Sequence, residues 1–509
     1  MTWEAARVRS VTYEGGADYW EHSAVLRALM QKPWHPDNPF LANHVPSSRF
    51  GPQFVLIALV ARGLHLDALG AMTLAASANT LLFLCAVRVF FASYFRDRLA
   101  PLYGLLVMFF GWWQGFHFSN VYALNVLFAN ASYPSTTALG LTLLGFSFAL
   151  RLLRGEFEQP NLMLGGIVIW AAVVFIVHPL TAMLALSGVG LLALSEPKAP
   201  LHARLELISA LLLGLALSRF WPYFSPWQVV RTGENASAGW GGLSALRLSG
   251  LHLRPDPHPF YEPQGLLSAL GLSLIALLAL PYFLAERKRW FIGFGAVAML
   301  VPFGVNAFVP LPLGHRFLLL AIVYLQIGVV WLLLKFTSSD EDAWPFLARR
   351  GARVACRLAA LASLLVFVSH GILLAYTQLD NPKFYLRSES PVVRNMKAIA
   401  AAAGPGAVVL ASPLLSWPLP TFGPKVLTLF HDDPLVFDLA QRESDVTRFL
   451  SVASDEERRQ ILDRYGVTHV LLGRESNGAL LGFLRQHGSA RPVGTGYHLY
   501  TLGSSARRP

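Results

Sequence analysis

The densest group of ionisable side chains comes early, in GADYWEHSAVLRALMQKPWHPDNPF, residues 16 to 40, which holds Asp18, Glu21, His22, His35 and Asp37. A carboxylate and an imidazole fixed within one helical turn can draw a proton from a hydroxyl. If residues 18 to 30 are helical, Asp18, Glu21 and His22 lie within such a turn, while Tyr19, Leu26 and Met30 form an apolar strip against lipid or a helix bundle. The spacing therefore predicts a base at a membrane surface, reachable by a lipid-linked group approaching from the bilayer. A solvated loop charge or an interfacial ion pair would use the same residue types.

The elements that must position this cluster are membrane helices. Of 509 residues, 54% are hydrophobic and only 14% charged, and the mean hydropathy is +0.46, far from a soluble average of roughly a quarter charged. Apolar runs long enough to cross a hydrocarbon core of about 30 Å fall near 68–93, 100–117, 134–153, 163–178, 179–195, 205–221, 265–284, 289–309, 315–335 and 355–376. The fold class that follows is an α-helical polytopic membrane protein with about 10 to 11 transmembrane helices. GPQFVLIALVARGL, 51 to 64, is short and carries Arg62, so it is expected to lie along the interface.

Basic residues near span ends stay on the cytoplasmic side. Arg96 and Arg98, Arg151 and Arg154, Lys198 and Arg204, Arg287 to Arg289, and Lys335 with Arg349, Arg350 and Arg353 occupy every second connection. The remaining connections, residues 1–67 and everything after 377 are then outside. An exported amino-terminal segment needs a carrier, so a further apolar helix is expected upstream of Met1. The net charge of +11 sits largely in the cytoplasmic loops, and no basic stretch is interleaved with stacking aromatics, which excludes nucleic acid as a partner. Cys85 and Cys356 fall in or beside apolar runs and read as small core groups. Neither a P-loop nor a dinucleotide fingerprint occurs, which argues against an ATP-driven pump.

After about residue 380 the apolar runs shorten. GAVVLAS near 405–412, KVLTLF at 425–430, VTHVLLG at 467–473 and the closing YHLYTLG read as short strands, and SDVTRFLSVASDEERRQILDRYG as helix, with Ser454 and Glu457 spaced as a capping box and Gly466 as its stop. ALLGFLRQHG is a further helix. The expected organisation is an outer-face segment 1–67 with interfacial helices, a multi-spanning domain 68–377 and a small extracytoplasmic α/β domain 380–509.

Other polar positions are candidates for substrate contacts. HLRPDPHPFYEPQG, 252 to 265, places Arg254, Asp256, His258 and Glu262 in a Pro-rich outer loop able to fold over a site; the plain alternative is a solvated loop. His178 precedes Pro179 at a helix break, where a satisfied turn histidine is the alternative to a phosphate contact. His315 and Arg316 begin a helix at the outer interface. An Arg at mid-depth costs about 2.5 to 3.5 kcal/mol on insertion scales, less near the surface where it can snorkel, and a fixed guanidinium there can bind a lipid phosphate. Trp112, Trp113, Trp221 and Trp227 fit interfacial belts.

The layout resembles the GT-C superfamily of polyprenyl-phosphate-sugar dependent glycosyltransferases. The elements that carry the resemblance are the acidic first outer loop ADYWEHSAVLRAL, the segment RFGPQFVLIALVARGLHLDALGAMTLAASANTLLFLCAVRVFF, HPLTA at 178 to 182, the late GHRFLLL and a terminal domain with LDRYGVTHVLL and GYHLYTLG. The resemblance implies a multi-pass protein of the bacterial inner membrane that moves a sugar from a polyprenyl-phosphate donor to an acceptor on the extracytoplasmic face. It implies Asp18 as the catalytic base, with Glu21 second; His22, His178, Arg254, Asp256, His258, His315 and Arg316 are the substrate contacts expected from their residue types and places in the chain. No second acidic motif in a middle outer loop completes the family pattern. A divalent metal near Asp18, Glu21 or His22 is compatible with the residue types, although the spacing is not diagnostic. A transporter or flippase of lipid-linked saccharide, or a non-catalytic relative, is the competing class; transporters concentrate ionisable groups at the midplane, whereas here they gather at the outer boundary.

Overall fold

The structure, a computed structural model, describes residues 17–42, 45–114, 120–232, 259–309, 311, 313–337, 350–379, 391–473 and 478–503. These fall into two compact units, one within Met1–Leu74, Pro222–Gly241 and Tyr385–Pro509, the other within Ala75–Trp221 and Gly242–Phe384. The chain is a polytopic helical membrane protein with a small α/β domain towards its carboxyl end.

Among the described residues, seven helices are long and apolar enough to cross a membrane: Ala68–Phe95, Pro134–Leu153, Pro160–Val177, Leu201–Phe220, Arg287–Asn306, Gly314–Thr337 and Val354–Tyr376. Gly314–Thr337 is the hub of its unit, with 89% of its apolar window buried, whereas Val354–Tyr376 has 17% buried and presents Leu358, Leu365 and Leu373 outward. An exposed apolar face of that length would be a liability in water and matches hydrocarbon chains. Buried polar groups are satisfied helix to helix: Tyr324 Oη donates to the Leu184 carbonyl at 3.1 Å, and Thr137 Oγ1 donates to Asn79 Oδ1 at 2.7 Å. A hydrocarbon environment demands such internal partners.

Two of the expected spans are broken, for one shared reason. Among its described residues the run 100–117 is helical over Ala100–Phe110 and not over 111–114, and 265–284 is divided into Pro263–Leu270, Ser273–Leu278 and Leu280–Ala285. The breaks meet. Gly271 adopts φ +49°, its neighbour Leu272 donates its backbone N–H to the Gly111 carbonyl at 2.8 Å, and Gln114 N–H donates to the Ser268 carbonyl at 3.2 Å. A Cβ on Gly271 would collide with the Gly111 carbonyl oxygen, so the positive φ and the close crossing both require glycine. Hydropathy alone reads both runs as continuous because the interruption is made by backbone geometry, not by polar side chains.

In the other unit the α/β domain is built on a mixed five-stranded sheet of β1 (Val408–Leu410), β2 (Lys425–Val426), β3 (His469–Leu472), β4 (Gly488–Val493) and β5 (Tyr497–Leu502), in the order β2-β1-β3-β5-β4. β1 pairs in parallel with β2 and β3, while β5 runs antiparallel to β3 and β4. The β-branched and leucine-rich central strands bury both faces against Phe449, Ile461, Leu462 and Phe483, as parallel strands under helices do. The long helix read from 444 to 466 is two, Leu439–Leu450 and Asp455–Tyr465, separated where Ser454 caps the second by accepting from Glu457 N–H at 3.2 Å. Gly466 ends it with φ +61°. The Glu457 side chain does not return to close the box and instead meets Arg448 at 2.6 Å.

The amino-terminal segment belongs to this same unit. Leu41 bridges Val426 in parallel, and Val426 N–H donates to the Phe40 carbonyl at 2.8 Å, so residues 40 and 41 extend the sheet edge beyond β2. The helix Ala17–Gln31 is buried around most of its circumference, with Tyr19, Trp20, Ala24, Val25, Leu26 and Leu29 all inside, and not along a single strip. Trp20 packs against Phe422 with ring centroids 6.0 Å apart, and its carbonyl accepts from Thr421 Oγ1 at 3.1 Å.

Candidate functional site

The first turns of Ala17–Gln31 carry Asp18 and Glu21, and the three-residue spacing points both at the same neighbour. That neighbour is His431 of the α/β domain. Its Nδ1 lies 3.0 Å from Glu21 Oε1 and 3.4 Å from Asp18 Oδ1. His431 reaches the helix because the chain leaves the sheet after Val426: KVLTLF, expected as one strand to 430, is a two-residue strand followed by an irregular run. Glu21 is 2% exposed, and its second oxygen pairs with the Arg49 guanidinium. Asp18 is 40% exposed, so of the two carboxylates it is the one a substrate can reach.

Arg49 is held in turn. Its Nη2 donates to the carbonyls of His431 and Asp432 at 3.2 and 3.3 Å. The loop that carries it is fixed by buried Asp433, which accepts from Ser47 Oγ at 2.8 Å, from Ser48 N–H at 3.1 Å and from Leu435 N–H at 3.1 Å. Beside the cluster, Trp417 stacks on Phe430 with centroids 3.9 Å apart, and both meet the His431 ring edge to face. Burial opposes a charge on His431, but the Glu21 hydrogen bond and charge, with Asp18 behind them, outweigh it and raise its pKa above the ordinary histidine value. Burial likewise opposes the Arg49 charge, and Glu21 with Asp433 more than offsets it, so Arg49 stays firmly protonated.

Asp18, Glu21 and His431 each offer one atom, all within 4.8 Å of one another, a donor set of two carboxylate oxygens and one imidazole nitrogen. Such a set fits a divalent cation in type, with Arg49 competing for the Glu21 charge. His22 turns elsewhere: its ring lies 4.9 Å from that of Phe54.

In the membrane unit His178 caps the helix Pro179–Ser195, its Nδ1 accepting from Thr181 N–H at 3.2 Å and lying 2.8 Å from Thr181 Oγ1. His315 and Arg316 lie in the 3-10 turn Gly314–Arg316 that opens the hub span, ahead of its α-helical part Phe317–Thr337, and the Arg316 charge is close enough to act on His178. Gly314 sits against Asn306, where a Cβ would run into the carboxamide. Asn306 Nδ2 in turn donates to Tyr261 Oη at 2.6 Å, and its Oδ1 accepts from Leu311 N–H at 2.6 Å. This knot fixes the turn that carries Arg316. Glu262 is exposed just before the helix Pro263–Leu270, and Arg254, Asp256 and His258 lie outside the described residues. Sequence reasoning missed His431 and Arg49. HDDP at 431 to 434 is itself an ionisable cluster after an apolar run, the one local signal that points to it.

No protein-family model matches the sequence, and no curated protein is similar to it in sequence. Solved structures are similar to it in fold. ArnT from Cupriavidus metallidurans, bound to undecaprenyl phosphate, aligns with a TM-score of 0.58 at 13% identity over 100% of this chain and 97% of that one. The archaeal oligosaccharyltransferase AglB from Archaeoglobus fulgidus, in complex with an inhibitory peptide and a dolichol-phosphate, aligns at 0.54 and 12% identity over 96% of this chain and 70% of its own. A mutant of the arabinofuranosyltransferase AftD from Mycobacteria aligns at 0.51 and 14% identity, over 97% of this chain and 42% of its own. All three are GT-C glycosyltransferases. The fold is therefore that of the GT-C membrane glycosyltransferases, as the layout of the sequence leads one to expect.

Proposed function

We propose that the chain transfers a sugar from a polyprenyl-phosphate donor to an acceptor on the extracytoplasmic face of a bacterial inner membrane, with Asp18 as the base. The observation that carries this reading is the pairing of a reachable carboxylate with a buried one: Asp18 is open to substrate, while Glu21 is locked between Arg49 and His431. Asp18 takes the proton of the acceptor nucleophile as that atom bonds to the anomeric carbon, and the bond from that carbon to the phosphate oxygen breaks with its electrons going to the phosphate. Glu21 and His431 hold the Asp18 environment fixed, so little reorganisation accompanies the step. Trp417 and Phe430 offer an aromatic wall on which a sugar ring can lie.

Arg316, with His178 close to it, is the proposed holder of the lipid phosphate, and His315, Arg254, Asp256, His258 and His22 remain proposed substrate contacts. A divalent ion, if bound, would be held by Asp18, Glu21 and His431 and would supply positive charge for an anionic substrate group. The alternation of basic and neutral loops supports placing both the cluster and the α/β domain outside the cytoplasm.

The test is Asp18→Asn. Half-exposed and outside the buried pairs, it should leave the unfolding free energy within about 1 kcal/mol of wild type while transfer of labelled sugar from a membrane-lipid extract falls at least about 100-fold. Undiminished transfer by Asp18→Asn would remove Asp18 from the chemistry.

A further inference from the structure

About 14 Å along the same helix from Asp18, at 1.5 Å per residue, Arg27 opens into a cavity of about 660 Å³ with no part in the cluster described above. Its charged lining is Arg27, Lys32, Lys397 and Lys425 against one acid, Asp37. Asp37 is already held by Lys32 at 2.8 Å. Two of the cations are built in. Arg27 Nη2 donates to the Gly423 carbonyl at 3.0 Å, with Nη1 3.4 Å from the Pro420 carbonyl. Lys425, which opens β2, donates to the Asn38 carbonyl. The opposite wall, Ala400 to Gly406, is made of small residues and leaves the volume clear.

The cavity has a neighbour of about 500 Å³ that shares Arg27, Gln31, Lys397 and Phe422 and adds Arg62, His65 and one acid, Asp67, whose Oδ1 accepts from Gly70 N–H at 2.7 Å. This second cavity reaches Ala68 and Leu69, the first residues of the apolar helix Ala68–Phe95. A lining in which cations outnumber acids therefore extends to the head of a membrane-crossing helix.

We propose that this lining is a binding site for a phosphate ester, separate from the Asp18 cluster. Arg27, Lys32, Lys397 and Lys425 against the single acid Asp37 leave an excess of three positive charges in the lining, which calls for a ligand of more than one negative charge; a phosphate monoester supplies that and a lone carboxylate does not. Burial first, and then the nearby Arg27 charge, hold Lys425 down to about 8 against the pull of Asp37, and a bound anion would add to that pull. The volume accommodates a phosphorylated saccharide or a lipid headgroup, and both present the same group to the site. Basic pockets beside membrane helices recognise anionic headgroups by this chemistry.

The test uses the full chain in phosphatidylcholine nanodiscs. One arm titrates a soluble ester, glucose 6-phosphate, by calorimetry; the other counts phosphatidic acid molecules retained in native mass spectrometry. Saturable binding in either arm, weakened about tenfold by Lys397→Gln and relieved by added salt, supports the site, and the responding arm identifies a soluble or a lipid source. Lys397 is exposed on its helix, so its variant keeps the fold, whereas Arg27→Gln frees two carbonyls and puts the fold at risk. Binding in neither arm, or binding that Lys397→Gln and Lys425→Gln both leave unchanged, overturns the proposal. Glucose is the control ligand, and equal binding of glucose and its phosphate also overturns it.

Discussion

Glu21→Gln isolates the charge at the centre of the cluster, because glutamine keeps the shape of the side chain and removes its negative charge. Glu21 is 2% exposed and Arg49 17%, so the pair is shielded from solvent on both sides. Removing one member of a buried ion pair costs about 3 to 5 kcal/mol, since the partner is left buried and uncompensated. Arg49 retains the His431 and Asp432 carbonyls and the neighbouring charge of Asp433, which places the expected loss at the lower end, about 3 kcal/mol. For a unit of this size that is a fall of about 6 to 12 °C in Tm. Trp417, edge to face with His431, and Trp20, one residue before Glu21, make intrinsic fluorescence a local reporter of the transition. The double variant Glu21→Gln, Arg49→Gln should recover most of the loss, because no buried charge is left unpaired. A single variant within about 0.5 kcal/mol of wild type, or a double variant whose cost is the plain sum of the two singles, would refute the reasoning.

Three further outcomes follow from the same geometry. The raised pKa of His431 means that its contribution to stability is complete below the unfolded histidine value of about 6.5 and is lost as pH rises through the folded value; the difference in Tm between wild type and His431→Gln should shrink across that window. Lys425 acts in the opposite sense: with a folded value of about 8 it binds fewer protons than the unfolded chain above that pH, so Lys425→Gln should flatten a gain in stability seen from about pH 8 to 10. Gly314→Ala drives a methyl into Asn306 and should cost about 1 to 3 kcal/mol in unfolding measurements.

Much of the fold was legible because the bilayer demands long apolar runs, and those at 134–153, 205–221, 315–335 and 355–376 correspond closely to helices. Where the reading differed, the cause was backbone geometry or a distant contact. Gly111 and Gly271 interrupt two runs without altering their hydropathy. β4, GSARPV, escaped notice because it is a largely exposed edge strand with no apolar alternation. Asp18 and Glu21 stood out by residue type and spacing, but His431 is 410 residues from Glu21 in the chain, and no local pattern announces a pairing made by tertiary structure. For the same reason His22, one residue from Glu21, was grouped with the cluster, although the helical turn carries its ring to Phe54.

A site for a lipid-linked sugar is tested most directly by mass spectrometry of the lipids that co-purify with the detergent-extracted chain, wild type beside Arg316→Ala. A polyprenyl phosphate or its glycosylated form should accompany the wild-type chain and be lost from Arg316→Ala. Bulk phospholipid alone in both samples would contradict the presence of such a site.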